Sequence, residues 1–218
     1  MEERQTLRIA IAGAGAVGRA VASELLENGH KVLLVEQNPA RYRPNTVPAA
    51  DWLLADACEV STLQEIELQN CDTVIAATGD DKANLAISLL AKSEFAVPRV
   101  VARINNAANE WLFTEDWGVD FAVSTPRAMV ATVEGAIDVG HLVRMVGLRQ
   151  GSSEVAKLTL GADHSLVGQR ICDLWLPEET VLAAVVCRDA VVVPPSDHIL
   201  AAGDEMVFIT HRTANEDG

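Results

Sequence analysis

Short, nearly continuous apolar runs alternate with amphipathic stretches through the first two thirds of this chain. Leu7-Arg8-Ile9-Ala10-Ile11-Ala12, Val32-Leu33-Leu34-Val35, Asp51-Trp52-Leu53-Leu54-Ala55, Thr73-Val74-Ile75-Ala76-Ala77, Arg99-Val100-Val101-Ala102 and Val119-Asp120-Phe121-Ala122-Val123 read as strands. Val17, Val21 and Leu25 recur at helical spacing behind the first run, and Ala83, Leu85, Ala86, Leu89 and Leu90 give a second helix over 82–92. A third is expected over 107–116, around Trp111, Leu112 and Phe113. Strands alternating with helices predict an α/β domain, a doubly wound parallel sheet covered on both faces. Ser124-Thr125-Pro126 then caps a helix from Arg127 to about Val139, with Met129, Val130, Val133, Ala136 and Ile137 on one apolar face. With six strands already in place, this helix is either a surface helix or one that packs on a second copy.

Around Arg149-Gln150-Gly151-Ser152-Ser153 the pattern breaks, and a short linker is expected. Beyond it, 154–160 alternates as a half-buried strand, Ser165 to Leu174 reads as a short helix, and Val181 to Arg188, Val191 to Val193 and Met206 to Thr210 read as strands. The expected organisation is therefore a nucleotide-binding domain over 1–148, including the last helix, and a small α+β domain over 149–218. Ala214 to Gly218 is expected to be a disordered tail.

The chemistry concentrates where the first strand meets the first helix. Gly13-Ala14-Gly15-Ala16-Val17-Gly18 supplies a tight turn, a backbone open to a pyrophosphate, and close helix–strand packing, with helix N–H groups aimed at the phosphate. Glu36, followed by Gln37, ends the second strand, where a carboxylate accepts from ribose hydroxyls. Arg41 and Arg43 follow, either meeting a phosphate or lying in a solvated loop. Asp56-Ala57-Cys58 closes the third strand. Asp56 there is an acceptor for an adenine amine, or the N-cap of a helix starting at Glu59. Thr78-Gly79-Asp80-Asp81, with Asn84 one turn further on, and Arg103 end the next two strands and belong to the same crevice; Asp80 also has a capping role open to it.

Composition narrows the class of protein. The chain is 49% apolar with a formal net charge of −14, acidic in both halves, which argues against a nucleic-acid or anionic-membrane surface. Met1-Glu2-Glu3-Arg4-Gln5 is charged and runs directly into strand sequence, so no signal peptide is expected and the chain is expected in the cytoplasm. Cys58, Cys71, Cys172 and Cys187 show no C-x-x-C and no histidine at metal-ligand spacing, so no metal site is expected. No acid–base pair or nucleophile set is evident, and the single tyrosine, Tyr42, has no Y-x-x-x-K around it. No catalytic residue is assigned.

Ile11 to Gly18, Val35-Glu36, Ala55-Asp56-Ala57, Ala77-Thr78-Gly79-Asp80-Asp81 with Asn84, Ala102-Arg103 with Asn105, and Gly118-Val119-Asp120 leading to Pro126 together resemble the RCK, or Trk-N, regulatory family. Leu166-Val167-Gly168, Val185 to Arg188 and Leu200 to Glu205 extend the resemblance into its C-terminal companion domain. The resemblance implies a Rossmann-like domain with a crossover helix, followed by a small RCK-C domain. It implies that Gly13 to Gly18, Glu36, Asp56, Thr78, Gly79 and Arg103 contact NAD or NADH, or else ATP or ADP. It further implies a non-enzymatic regulatory subunit of a Trk/Ktr-type potassium uptake system, peripheral at the inner face of the membrane through a membrane-embedded transporter subunit. The helix from Arg127 would pair two subunits, and dimers would assemble into a ring, as a homo-oligomer or with a paralogous subunit. Alternatives are the regulatory subunit of another cation channel or antiporter, and an NAD-dependent oxidoreductase. Two departures stand out: one copy of the unit where many relatives carry two, and Ala55 where a glycine more often precedes the acid.

Overall fold

The computed structural model describes residues 5–137, 139–148, 153–188 and 190–211. Their contacts divide the chain after Pro126 into two units. The first contains strands β1 (Arg8–Ala12), β2 (Lys31–Glu36), β3 (Asp51–Leu54), β4 (Thr73–Ala76), β5 (Arg99–Ile104) and β6 (Phe121–Ser124). They form one sheet in the order β3-β2-β1-β4-β5-β6, and every neighbouring pair is parallel. Helices α1 (Ala16–Glu27), α2 (Val60–Glu65) and α3 (Asp81–Ser93) connect them.

The continuous apolar runs have a direct cause in this arrangement. Successive side chains of a strand point to opposite faces, so a strand covered on both faces must be apolar at every position. Ile9 and Ile11 of β1 join Val32, Leu34 and Ala22 in one core, while Ala10 and Ala12 join Val74, Leu85 and Val100 in another. Leu34 is fully buried, and burial of such a side chain contributes about 1.5–3 kcal/mol.

The stretch 107–116 departs from the expected helix. It forms two 3-10 turns, Ala107–Leu112 and Glu115–Trp117, because Thr114 between them is extended and Phe113 is drawn into the core. Helix α4 (Thr125–Ile137) begins with Pro126 in its first turn, where a missing N–H costs nothing.

The second unit is an antiparallel sheet of β7 (Leu142–Leu148), β8 (Ser153–Thr159), β9 (Thr180–Cys187), β10 (Ala190–Val192) and β11 (Glu205–His211), in the order β10-β9-β11-β8-β7. Its core gathers Ala156, Leu158, Leu182, Val185, Met206 and Phe208. Strand β7 was not anticipated. Its register against β8 shifts between Arg144 and Val146, and such a bulge destroys the period-two alternation that marks a strand. The expected domain boundary at 148/149 falls within the β7–β8 pairing. The expected helix at 165–174 is a set of turns ending in a 3-10 turn, Ile171–Asp173. Its backbone is spent on the opposing segment instead: Gly168 N–H donates to Leu200 O at 2.8 Å, and Leu200 N–H to Gln169 O at 2.9 Å. Of the expected linker at 149–153, Ser153 is the first residue of β8; the rest of it and the tail at 214–218 lie outside the described residues.

Asp81, at the start of α3, ties that helix to the exit of β5. Its buried carboxylate accepts from Asn105 N–H at 2.7 Å, Asn105 Nδ2 at 3.0 Å, Asn106 N–H at 3.1 Å and Asn109 Nδ2 at 2.8 Å. Burial pushes its pKa up, but these four donors outweigh burial and hold it below the ordinary 3.8. Because the folded pKa lies below the unfolded one, the contribution is fully present above the unfolded value and is lost as pH falls through the folded one. Acid titration followed by circular dichroism should therefore show stability falling below about pH 4. Asp81→Asn should flatten that limb and cost about 1–3 kcal/mol at neutral pH, since an amide would face donors with a donor.

Candidate functional site

Strand order reverses between β1 and β4, and there the segments leaving their carboxyl ends part to form a cleft of about 650 Å³. Open parallel sheets bind ligands at such a switch point. Gly13, Gly15 and Ala16 form one wall, Glu36, Gln37, Asp56 and Ala57 a second, and Thr78, Gly79, Asp80 and Arg103 a third. The structure thus brings together these eleven residues, each singled out in the sequence and drawn from the ends of five strands, with Arg41 and Arg43 beside them.

The turn is built by two glycines that admit no side chain. Gly13 has φ +100, and a Cβ there would lie 2.9 Å from both the Cα and the N of Thr78. A Cβ on Gly18 would collide with the carbonyl oxygen of Gly13. Gly15, the N-cap of α1, differs: nothing lies within 4 Å of its would-be Cβ, so its backbone is open to a ligand. Ala14 and Gly18 are buried and, with Val17, lie behind the residues that line the cleft.

Glu36 carries a duty the sequence did not reveal. It is 5% exposed; Oε2 accepts from Ala14 N–H at 2.9 Å and Oε1 from Asn38 N–H at 2.8 Å. The carboxylate therefore fixes the glycine turn to β2 while still lining the cleft, and each oxygen keeps a lone pair. Asn84 also works from behind. It is fully buried, its Oδ1 accepting from Thr78 N at 2.9 Å and from Thr78 Oγ1, and its Nδ2 donating to Arg103 O at 2.8 Å. It positions the Thr78 and Arg103 segments and does not line the cleft. Asp56 accepts from Cys58 N–H at 2.8 Å in a local turn; the cap position of α2 belongs to Glu59. Asp80 caps α3 through Lys82 N–H at 2.8 Å.

Four arginines, Arg19, Arg41, Arg43 and Arg103, line this cleft in a chain of net charge −14. Arg103 Nε donates to Thr125 Oγ1 at 3.0 Å, which steers its side chain along the end of the sheet. Arg19 Nη1 donates to Ala14 O at 2.6 Å, back across the turn. Arg19 was missed; its signal was its place immediately after the third glycine, one turn inside α1. Cys58 also lines the cleft as a neutral thiol, its pKa pushed up to about 11 by burial and then by Asp56 and Asp80.

A parallel sheet in this order, with a glycine turn at its switch point and a carboxylate ending β2, is a Rossmann-like fold with an open cleft at that point. The family model described as the TrkA-N domain matches residues 9–125, and the chain belongs to that family. It is 47% identical over 211 residues to the Trk system potassium uptake protein TrkA of Mycobacterium tuberculosis (strain ATCC 25618 / H37Rv), covering 97% of this chain and 96% of that one. Among solved structures, it is similar to the GsuK channel bound to NAD, with a TM-score of 0.68 at 14% identity, over 97% of this chain and 38% of that one. It is also similar to GsuK bound to ADP, with a TM-score of 0.50 at 25% identity, over 60% of this chain and 33% of that one.

Substitutions in the turn should separate packing from ligand access. Gly18→Ala should lower stability by about 1–3 kcal/mol through overpacking against Gly13. Gly15→Ala should cost no more than about 1 kcal/mol, as a poorer N-cap with room for its methyl group. Denaturant melts of the two variants check this.

Proposed function

We propose that this protein is a nucleotide-sensing regulatory subunit of a potassium uptake transporter, binding NAD(H), or ATP or ADP, in the cleft at the β1–β4 switch point. The observation that carries the reading is the conjunction of an open Gly15 backbone at the start of α1 with four arginines in an otherwise acidic molecule. A diphosphate fits that conjunction: its charge is met by the helix N–H groups and the guanidinium forks. The remaining lone pairs of Glu36 suit the ribose hydroxyls and disfavour a 2′-phosphate, which makes NADP the poorest candidate. Asp56 stands at the wall where an adenine amine needs an acceptor.

The name of the Mycobacterium tuberculosis relative, at matching length, supports potassium uptake as the process served. Among the described residues, no helix is long and apolar enough to cross a membrane. The transporter in this proposal is a separate, membrane-embedded subunit. Met129, Val130, Val133 and Ile137 of α4 are exposed, which supports pairing of two copies through the crossover helix and a ring of such pairs. A nucleotide acts on flux in such a ring only by binding its two conformations with different affinity.

Calorimetric titration with NADH, NAD, ATP and ADP tests the site. At least one should bind with one site per chain, and Gly15→Asp, which puts a carboxylate where the diphosphate would lie, should lose binding at least tenfold. Deletion of the coding sequence should abolish regulated potassium uptake at limiting potassium. Unchanged uptake would overturn the reading.

A further inference from the structure

We propose that the second unit carries a divalent-metal site of the zinc class, formed by Cys187 Sγ, His198 Nε2 and Asp204 Oδ2. No spacing in the sequence announces it. Cys187 closes β9, His198 lies in the connection after β10, and Asp204 immediately precedes β11. The antiparallel pairing of β9 and β11 sets Val186 opposite Glu205 and so carries Cys187 and Asp204 to one end of the sheet. The connection is fastened over them: Ile171 N–H donates to His198 O at 3.1 Å, and His198 N–H donates to Ser196 Oγ at 3.0 Å.

The three side chains converge as ligands do. Cys187 Sγ lies 3.3 Å from His198 Nε2, and His198 Nε2 lies 3.1 Å from Asp204 Oδ2. All three atoms fall within 4.8 Å of one another. Donors around a tetrahedral zinc ion, each about 2.0–2.3 Å from the metal, stand roughly 3.3–3.6 Å apart, close to the two separations made by His198 Nε2. A single imidazole nitrogen offers either a proton or a lone pair, yet here it faces a thiol and a carboxylate together. A cation that takes a lone pair from each of the three atoms uses them all.

The donor set selects the metal. Thiolate with imidazole favours zinc and excludes the all-oxygen preference of calcium and magnesium. Asp204 is buried, and its Oδ2 also accepts from Ala201 N–H at 3.0 Å, an outer contact that orients the carboxylate. Cys187 and His198 are half-buried, leaving a side from which the ion enters and a fourth position for water. On binding, the thiol proton leaves to solvent, the imidazole gives the metal its Nε2 lone pair, and no electron is transferred. The ion would clamp the connection carrying His198 onto the ends of β9 and β11.

Cobalt(II) is the probe, titrated into the metal-stripped, reduced full chain. The expected result is a thiolate-to-cobalt charge-transfer band that saturates at one equivalent and is bleached by zinc. It should be lost in Cys187→Ser and at least tenfold weaker in His198→Gln, which keeps the thiol and tests the site should the serine variant fail to fold. Cys172→Ser should keep the band, since that exposed thiol lies instead beside Asp173 and Asp197. Zinc should also raise the melting temperature of the native chain and not of His198→Gln. Absence of the band in the native chain, its persistence in Cys187→Ser, or its loss in Cys172→Ser would overturn the proposal.

Discussion

The first unit depends on an approach between helix and strand too close for a β-carbon. Gly18 of α1 rests against the carbonyl oxygen of Gly13, and Gly13 in turn rests against the backbone at Thr78. Three segments, from β1, α1 and β4, are thereby locked at one point. Glu36 adds a fourth by accepting from Ala14 N–H. Everything that makes the cleft useful follows from that point: α1 is aimed by its N-terminus at the space, and the Thr78 segment is held as the opposite wall. The contact is van der Waals repulsion used as a gauge, since any side chain would push the walls apart. Attraction then comes from the buried faces of the sheet on either side.

Much of this was legible in the sequence. Parallel strands covered on both faces leave continuous apolar runs, and all six were read; the glycine turn and the strand-end residues fell into place because a parallel sheet puts all carboxyl ends on one side. What escaped reading was whatever depends on partners distant in sequence. Asn84 has the composition of a ligand contact, and only the fold shows that its amide is consumed by Thr78 and Arg103. Glu36 was read for its ribose role, and its backbone bonds depend on where the turn comes to rest. Strand β7 was hidden by a bulge, and the segment around Gly168 gave up helix formation for bonds to the strand-like segment near Leu200. Local propensity lost in these places to tertiary pairing.

The two units also divide the chemistry. The first sets Arg19, Arg41, Arg43 and Arg103 beside Glu36, Asp56 and Asp80 at the mouth of a sheet, within a chain whose overall charge repels anions. Charge focused in a cleft against a background of the same sign as the ligand favours selectivity over capture, because only a ligand that reaches the arginines overcomes the long-range repulsion. The second unit has a sheet with alternating burial along β8 and cross-strand pairs such as Lys157 with Glu205 at 3.0 Å. Cys187, His198 and Asp204 gather at one end of that sheet.

The position of β11 sets the order in which the molecule can assemble. It is the last strand in sequence, yet it lies at the middle of its sheet, hydrogen-bonded to β9 on one side and β8 on the other. During translation the six-stranded sheet is complete once β6 has emerged, and its domain can fold while the rest is being made. The later sheet has no such freedom. Without residues 205–211, nothing joins the β7–β8 pair to the β9–β10 pair, and a message truncated ahead of them would leave the edges of β8 and β9 open to other chains.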